Sequence, residues 1–113
     1  MAQELLDQRI REQAVTLTDE IACQTEGVVS KTIIDKPAGT LTLFAFDEAQ
    51  GLSEHSAPFD AFVHLLEGEM EIRLDGSACH LLKGQSLMMP ANVPHALRAQ
   101  KPSKMMLVMI RQT

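Results

Sequence analysis

His95 is the residue best placed to do chemistry, because the stretch leading to it, Gly84-Gln-Ser-Leu-Met-Met-Pro90-Ala-Asn92-Val-Pro94-His95, dictates where its ring will stand. Gly84 permits a tight turn, and an apolar run follows. Pro90 and Pro94 then fix their own φ and restrict the residue before each, holding one loop shape. Asn92 is among the few non-glycine residues that visit the left-handed backbone region, so it can close the turn between the prolines. An imidazole delivered in this way titrates near neutral pH. It can serve as an acid–base group or as a ligand to zinc, iron, nickel or copper.

The spacing from Gly84 through Pro90 and Asn92 to His95 resembles the second sequence motif of the cupin superfamily, with asparagine where glycine is usual and Ala99 where the motif ends in asparagine. A partial copy of the first cupin motif runs from Gly51 to Gly68. Counting back from Gly68, the resemblance places the first histidine at His55, the second at Ala57 and the glutamate at Ala61. It thus implies a pocket with two retained ligand positions, His55 and His95, and two replaced by alanine. On a regular strand 55, 57 and 61 would share one face.

Two histidines are fewer than the three or more protein ligands that a stable metal site wants. A carboxylate beside them would complete the facial triad of non-haem iron enzymes. Asp60 is the nearest candidate and Glu54 the next. Alternation sends both to the face opposite His55, but Pro58 interrupts the strand, and a bulge there would re-aim Asp60 inward. The candidate metal set is therefore His55, His95 and Asp60, with iron, manganese, nickel or zinc as the divalent ion. Beside it stands a metal-free pocket in which the two histidines meet a small molecule directly.

His64 has the parity of Asp60 and is expected to face away from the pocket, and His80 is expected on a sheet face. Cys23 and Cys79 have no CxxC spacing and read as small apolar side chains of a reducing compartment. Seven methionines, with no tryptophan or tyrosine, supply flexible core filling, or alternatively an apolar lining for a small hydrophobic ligand.

The elements that would carry these residues are mostly strands. Leu5, Leu6 and Ile10 suggest one face of a short helix. Thr16-Leu-Thr-Asp19 has the form of a capping box before a second short helix at about 18–23. Beyond residue 26, strands are expected over 28–34, 40–46, 61–66, 69–74, 77–82, 87–89, 95–98 and 104–110, with a two-residue hairpin at Asp75-Gly76. Residues 48–60 read as a lid loop. Strand 40–46 is apolar on both faces, so both must be covered. The fold expected is all-β, a cupin-type double-stranded β-helix (jelly-roll) barrel of the small RmlC-like kind over 27–113, behind a helical extension over 1–26.

The bounds are simple. Ten Lys and Arg against fifteen Asp and Glu give a net charge of −5, with no basic stripe for a phosphate backbone, so nucleic acid is not an expected partner. No apolar run reaches the ~20 residues of a membrane-spanning helix, and the chain is expected to be cytoplasmic. The residues from 104 to 110 are apolar on both strand faces, and cupins often cover such a face with a second subunit, so a homodimer is expected. The function expected is small-molecule binding at His55 and His95, with oxygenase- or isomerase-type chemistry if a divalent metal is held. A non-catalytic, metal-free sensor or partner-binding module is the alternative.

Overall fold

The computed structural model describes residues 2–111; of the helical face expected at the N-terminus, the Leu5 side chain lies outside the described residues. Helix α1 (Ala2–Glu12) and a 3₁₀ turn (Leu17–Asp19) precede seven strands: β1 (Val28–Lys36), β2 (Gly39–Phe46), β3 (Gly51–His55), β4 (Phe59–Leu74), β5 (Ser77–Leu82), β6 (Ser86–Met89) and β7 (His95–Arg111). All pairings are antiparallel. The jelly-roll barrel expected from the sequence is the fold observed.

Two long strands build it. The segments expected as separate strands at 61–66 and 69–74 are one strand, β4, and those at 95–98 and 104–110 are one strand, β7. The first half of β4 pairs with β6 and with the second half of β7, which in turn pairs with β2. The second half of β4 pairs with β5 and with the first half of β7, which also carries β3. Each long strand therefore begins in one layer and ends in the other.

The corner between layers is a run of irregular register around Leu65, Glu67 and Glu69. Gly68 sits there at φ 91°, and any Cβ on it would collide with the Ser103 side chain and the Pro102 carbonyl. Only glycine satisfies both conditions. Ser103, 1% exposed, locks the corner: its Oγ accepts from the Glu69 amide at 3.0 Å and donates to the Lys101 carbonyl at 2.7 Å.

Apolar side chains fill two separate spaces. Inside the barrel lie Phe46, Val63, Leu65, Met70, Ile72 and Met105, all essentially inaccessible. The even residues Phe44 and Phe46 of β2 face this core, while Leu41, Leu43 and Ala45 face outward. That outer face is covered by the chain's own N-terminal segment, with Leu6, Leu17 and Ile21 packed against Leu43 and Met106. Lys104 Nζ donates to the Thr18 carbonyl and Lys31 Nζ to the Glu20 carbonyl, both at 2.6 Å, and Arg9 pairs with Glu20.

Two local expectations give way to the structure. The capping box does not form: Thr16 makes no side-chain cap bond, its carbonyl accepts from the Asp19 amide, and a single 3₁₀ turn replaces the second helix. The segment read as a lid at 48–60 contains β3, since residues 51–55 find partners on β7. The Asp75-Gly76 turn forms as expected, with φ of 49° and 84°, the paired positive values of a type I′ hairpin.

Candidate functional site: a histidine pair over an apolar cavity

The turn before β7 takes the form its residues dictate. Asn92 adopts φ 65°, and its amide donates to the Ala57 carbonyl at 2.7 Å. The Ala91 amide donates to Asp60 Oδ1 at 2.9 Å. The loop is thus clamped onto the start of β4, and His95 follows as the first residue of β7, 5% exposed.

His55 reaches the same place through a bulge. Leu52 of β3 pairs with Leu97 and His55 pairs with His95, so β3 carries one residue more than β7 between these rungs. A regular strand would have set Glu54 opposite His95; the extra residue turns His55 inward instead. His95 is buried and His55 exposed, so the pair spans the wall between interior and solvent.

The two rings stand at 71° with centroids 4.3 Å apart, and their Nε2 atoms are 3.1 Å apart. Each Nδ1 meets the carbonyl two residues earlier, Ser53 at 2.8 Å for His55 and Val93 at 3.1 Å for His95. A carbonyl only accepts, so both Nδ1 atoms carry the hydrogen in the neutral rings and both Nε2 lone pairs face one another. Such a pair is held together by something that both nitrogens can bind: a proton, a hydrogen-bond donor or a metal ion. Burial pushes the His95 pKa below its ordinary value, the Val93 carbonyl opposes this, and nearby His55 lowers it further.

Behind the pair is a cavity of about 40 Å³. His55, Ala57, Ala61 and His95 all line it, so the four positions assigned by the cupin resemblance do converge. The remaining walls are Leu52, Leu97, Leu107 and three methionines, Met89, Met105 and Met109. The methionines are therefore divided: these three point in, while Met88 is 50% exposed and Met106 belongs to the outer cluster. The resemblance places His55 here, but the segment's composition reads as a loop, and nothing in the sequence marks Leu52 as a wall of the cavity.

Asp60 does not line the cavity; its carboxylate is engaged with the Ala91 amide on the exposed side of β4. No bulge re-aims it, because β4 pairs with β7 in regular register from Phe59 through Asp60 to Leu65. Among the described residues no three of His, Cys, Asp and Glu group as metal ligands. His64 and His80 lie outside the barrel, bonded to Ser86 Oγ at 2.6 Å and to Glu69 Oε2 at 2.7 Å. Two imidazoles without a carboxylate do not fit a resident divalent metal of the three- or four-ligand kind.

The match to known proteins agrees with this geometry. A conserved Streptococcus pyogenes protein of unknown function has a solved structure similar to this one, with TM-score 0.86, 33% identity and 89% of each chain covered. A cupin superfamily protein from Desulfitobacterium hafniense superposes with TM-score 0.86 at 25% identity, covering 89% of this chain and 93% of its own. Polyketide synthase CurC of Streptomyces cyaneus is 29% identical over 72 residues, 63% of this chain and 47% of that protein, so the chain spans about half of this relative. The family model described as a cupin domain matches residues 42–111, which include β3, both histidines and the corner between layers. The chain belongs to the cupin family.

Proposed function

We propose that this protein is a small-molecule-binding cupin whose ligand docks at the mouth of the inner cavity, with His55 and His95 as its polar contacts. The observation that carries the reading is the facing of two Nε2 acceptors, 3.1 Å apart, over an apolar chamber. A hydroxyl or enol of the ligand would donate to this pair. A chamber of about 40 Å³ admits only a water-sized group, so the body of the ligand would lie outward, along the mouth. The relative named as a polyketide synthase supports a polyketide-type ligand.

As an enzyme, the pair would work by proton transfer of the isomerase type. Burial keeps His95 neutral to lower pH, so it is available as a base near neutrality. Cupins often bind metals, but the oxygenase alternative with a divalent ion needs a third ligand, and no step is derived through one. The second reading, a non-catalytic sensor or partner-binding module, is favoured by Ala57 and Ala61, which line the cavity where the family motif has ligands.

Protein-observed NMR with a panel of polyketide-type hydroxyketones and enols tests the ligand. Shifts confined to β3 and the first half of β7, lost in His55→Ala/His95→Ala, are expected. Shifts that persist in that variant would overturn the site, and a panel with no binder would move the weight to the partner-binding reading.

Homodimer formation is part of the same proposal. The N-terminal segment leaves open the far end of the outer face, where Ile34 is 41% and Ile110 57% exposed beside Val108. Cytoplasmic residence is supported by the two free cysteines.

A further inference from the structure

We propose that Arg111, seated on the Phe59 ring at the mouth of the cavity, binds a carboxylate, so that the ligand of the histidine pair is an enolisable or hydroxylated carboxylic acid. This inference rests on the proposed function, since it names the class of ligand that His55 and His95 would hold.

Three observations converge. First, the strand register puts Arg111 beside the chamber. β4 and β7 run in regular register from Phe59 to Leu65, with Phe59 paired to Arg111 and Ala61 to Met109. Side chains two residues apart on a strand share a face, and directly paired residues share it too. Ala61 and Met109 line the cavity, so Phe59 and Arg111 stand on that same face, one rung or about 7 Å beyond the chamber. Phe59 also lies in sequence between Ala57 and Ala61, both of which line it.

Second, the guanidinium is held in place. It lies over the Phe59 ring, 5.6 Å from the centroid, and Nη1 donates to the Lys36 carbonyl at 2.6 Å. An aromatic face and a carbonyl orient this planar group without neutralising it. Arg111 is only partly buried, so it is positioned without being sealed from a ligand. Its fork of N–H donors matches the two oxygens of a carboxylate side by side.

Third, its charge is unmatched. Arg9, Arg11, Arg73, Lys101 and Lys104 each pair with a carboxylate, whereas Arg111 has no ion pair among the described residues. Asp60, the nearest acid along β4, shares a rung with Ile110 on the opposite face and is engaged with the Ala91 amide. No carboxylate lines the cavity either. The carboxylate of an acid would therefore meet Arg111 at the rim, while its enol or hydroxyl reaches the facing Nε2 acceptors and its carbon chain lies along the apolar walls.

The probes are 4,6-dioxoheptanoate, an enolisable diketone with a carboxylate at its far end, and its methyl ester, each titrated into the full-length protein near neutral pH and followed by NMR. The acid is expected to bind at least about tenfold more tightly than the ester. Arg111→Gln should erase that preference and leave ester binding unchanged, and Arg111→Lys, which keeps the charge without the fork, should recover part of it. Added salt should weaken the acid and not the ester. Equal affinity of acid and ester in the parent, or a preference that survives Arg111→Gln, would overturn the proposal; loss of both probes in His55→Ala/His95→Ala would then leave the histidine site standing. Binding that persists in that double variant, or no binding of either probe to the parent, would overturn the histidine reading and this inference with it. Circular dichroism of each variant separates loss of the site from loss of the fold.

Discussion

His55 of β3 and His95 of β7 stand opposite each other because one extra residue in β3 shifts its register by a single step. The inward ring is chosen by that bulge. The exposed member sits on the bulged strand and the buried member begins the long one, so solvent and interior each see one imidazole of a single pair.

Stability should depend on His95 at mildly acid pH. The His95 pKa is lowered in the folded protein, so between that value and the unfolded value near 6.5 the unfolded chain binds more protons. Its contribution is fully present above the unfolded pKa and is lost as pH falls towards the folded one. His55 is the other titratable group lining the cavity. Unfolding free energies from urea titrations between pH 7.5 and pH 5 should fall with pH, with a slope of at most about 1.4 kcal/mol per pH unit for this one proton. His95→Asn should flatten that part of the curve; an unchanged slope would sink the assignment.

Asp60 should act on the site through the loop and not through its charge. Its Oδ1 accepts from the Ala91 amide, three residues before the Pro94–His95 step. Asp60→Ala leaves that amide without its partner and should cost about 1 kcal/mol. Asp60→Asn retains an acceptor and should restore stability and ligand binding. Were the carboxylate a metal ligand, both substitutions would abolish metal uptake alike.

Restoring the replaced ligand positions should create a divalent centre. Ala57→His with Ala61→Glu would set three imidazoles and a carboxylate around one cavity. Near-stoichiometric zinc or iron by elemental analysis, absent from the parent chain, is expected. Failure to gain metal in a folded double variant would mean that the four positions do not converge closely enough.

Ser103 is expected to be among the costliest polar residues to remove. It is buried and bonded to both long strands. Ser103→Ala strands the Glu69 amide at the corner, for a loss of about 1–3 kcal/mol by chemical denaturation. Gly68→Ala should cost at least as much, because the backbone there is left-handed and the space is taken. A change within a few tenths for both would show that the corner is held elsewhere.

Legibility in the sequence followed the range of the interactions. The Pro90–His95 turn and the Asp75-Gly76 hairpin were readable, because proline, asparagine and glycine specify backbone torsions locally. So were the two faces of β2, through alternation. Strand β3 was not: Gly51-Leu-Ser-Glu-His has no β-branched residue, and it is a strand only because β7 offers partners. Leu66-Glu67-Gly68 looked like the end of a strand, yet the chain bends there without leaving the sheet. Parity reasoning placed Asp60 outside correctly, and the bulge invoked to bring it in lies in β3, where it moves His55. The inward set of Met89, Met105 and Met109 needs the register of three strands, which no local pattern contains.

The two continuous strands have a consequence for how the molecule comes apart. Besides the loops that connect them, the two layers are joined by β4 and β7, which carry hydrogen-bonded chain from one layer into the other. Loosening the mouth around His95 therefore pulls on the same β7 that pairs with β2 eight residues later, from Ser103 onward. Amides of both layers should exchange with solvent as one unit, while those of α1 exchange independently and sooner.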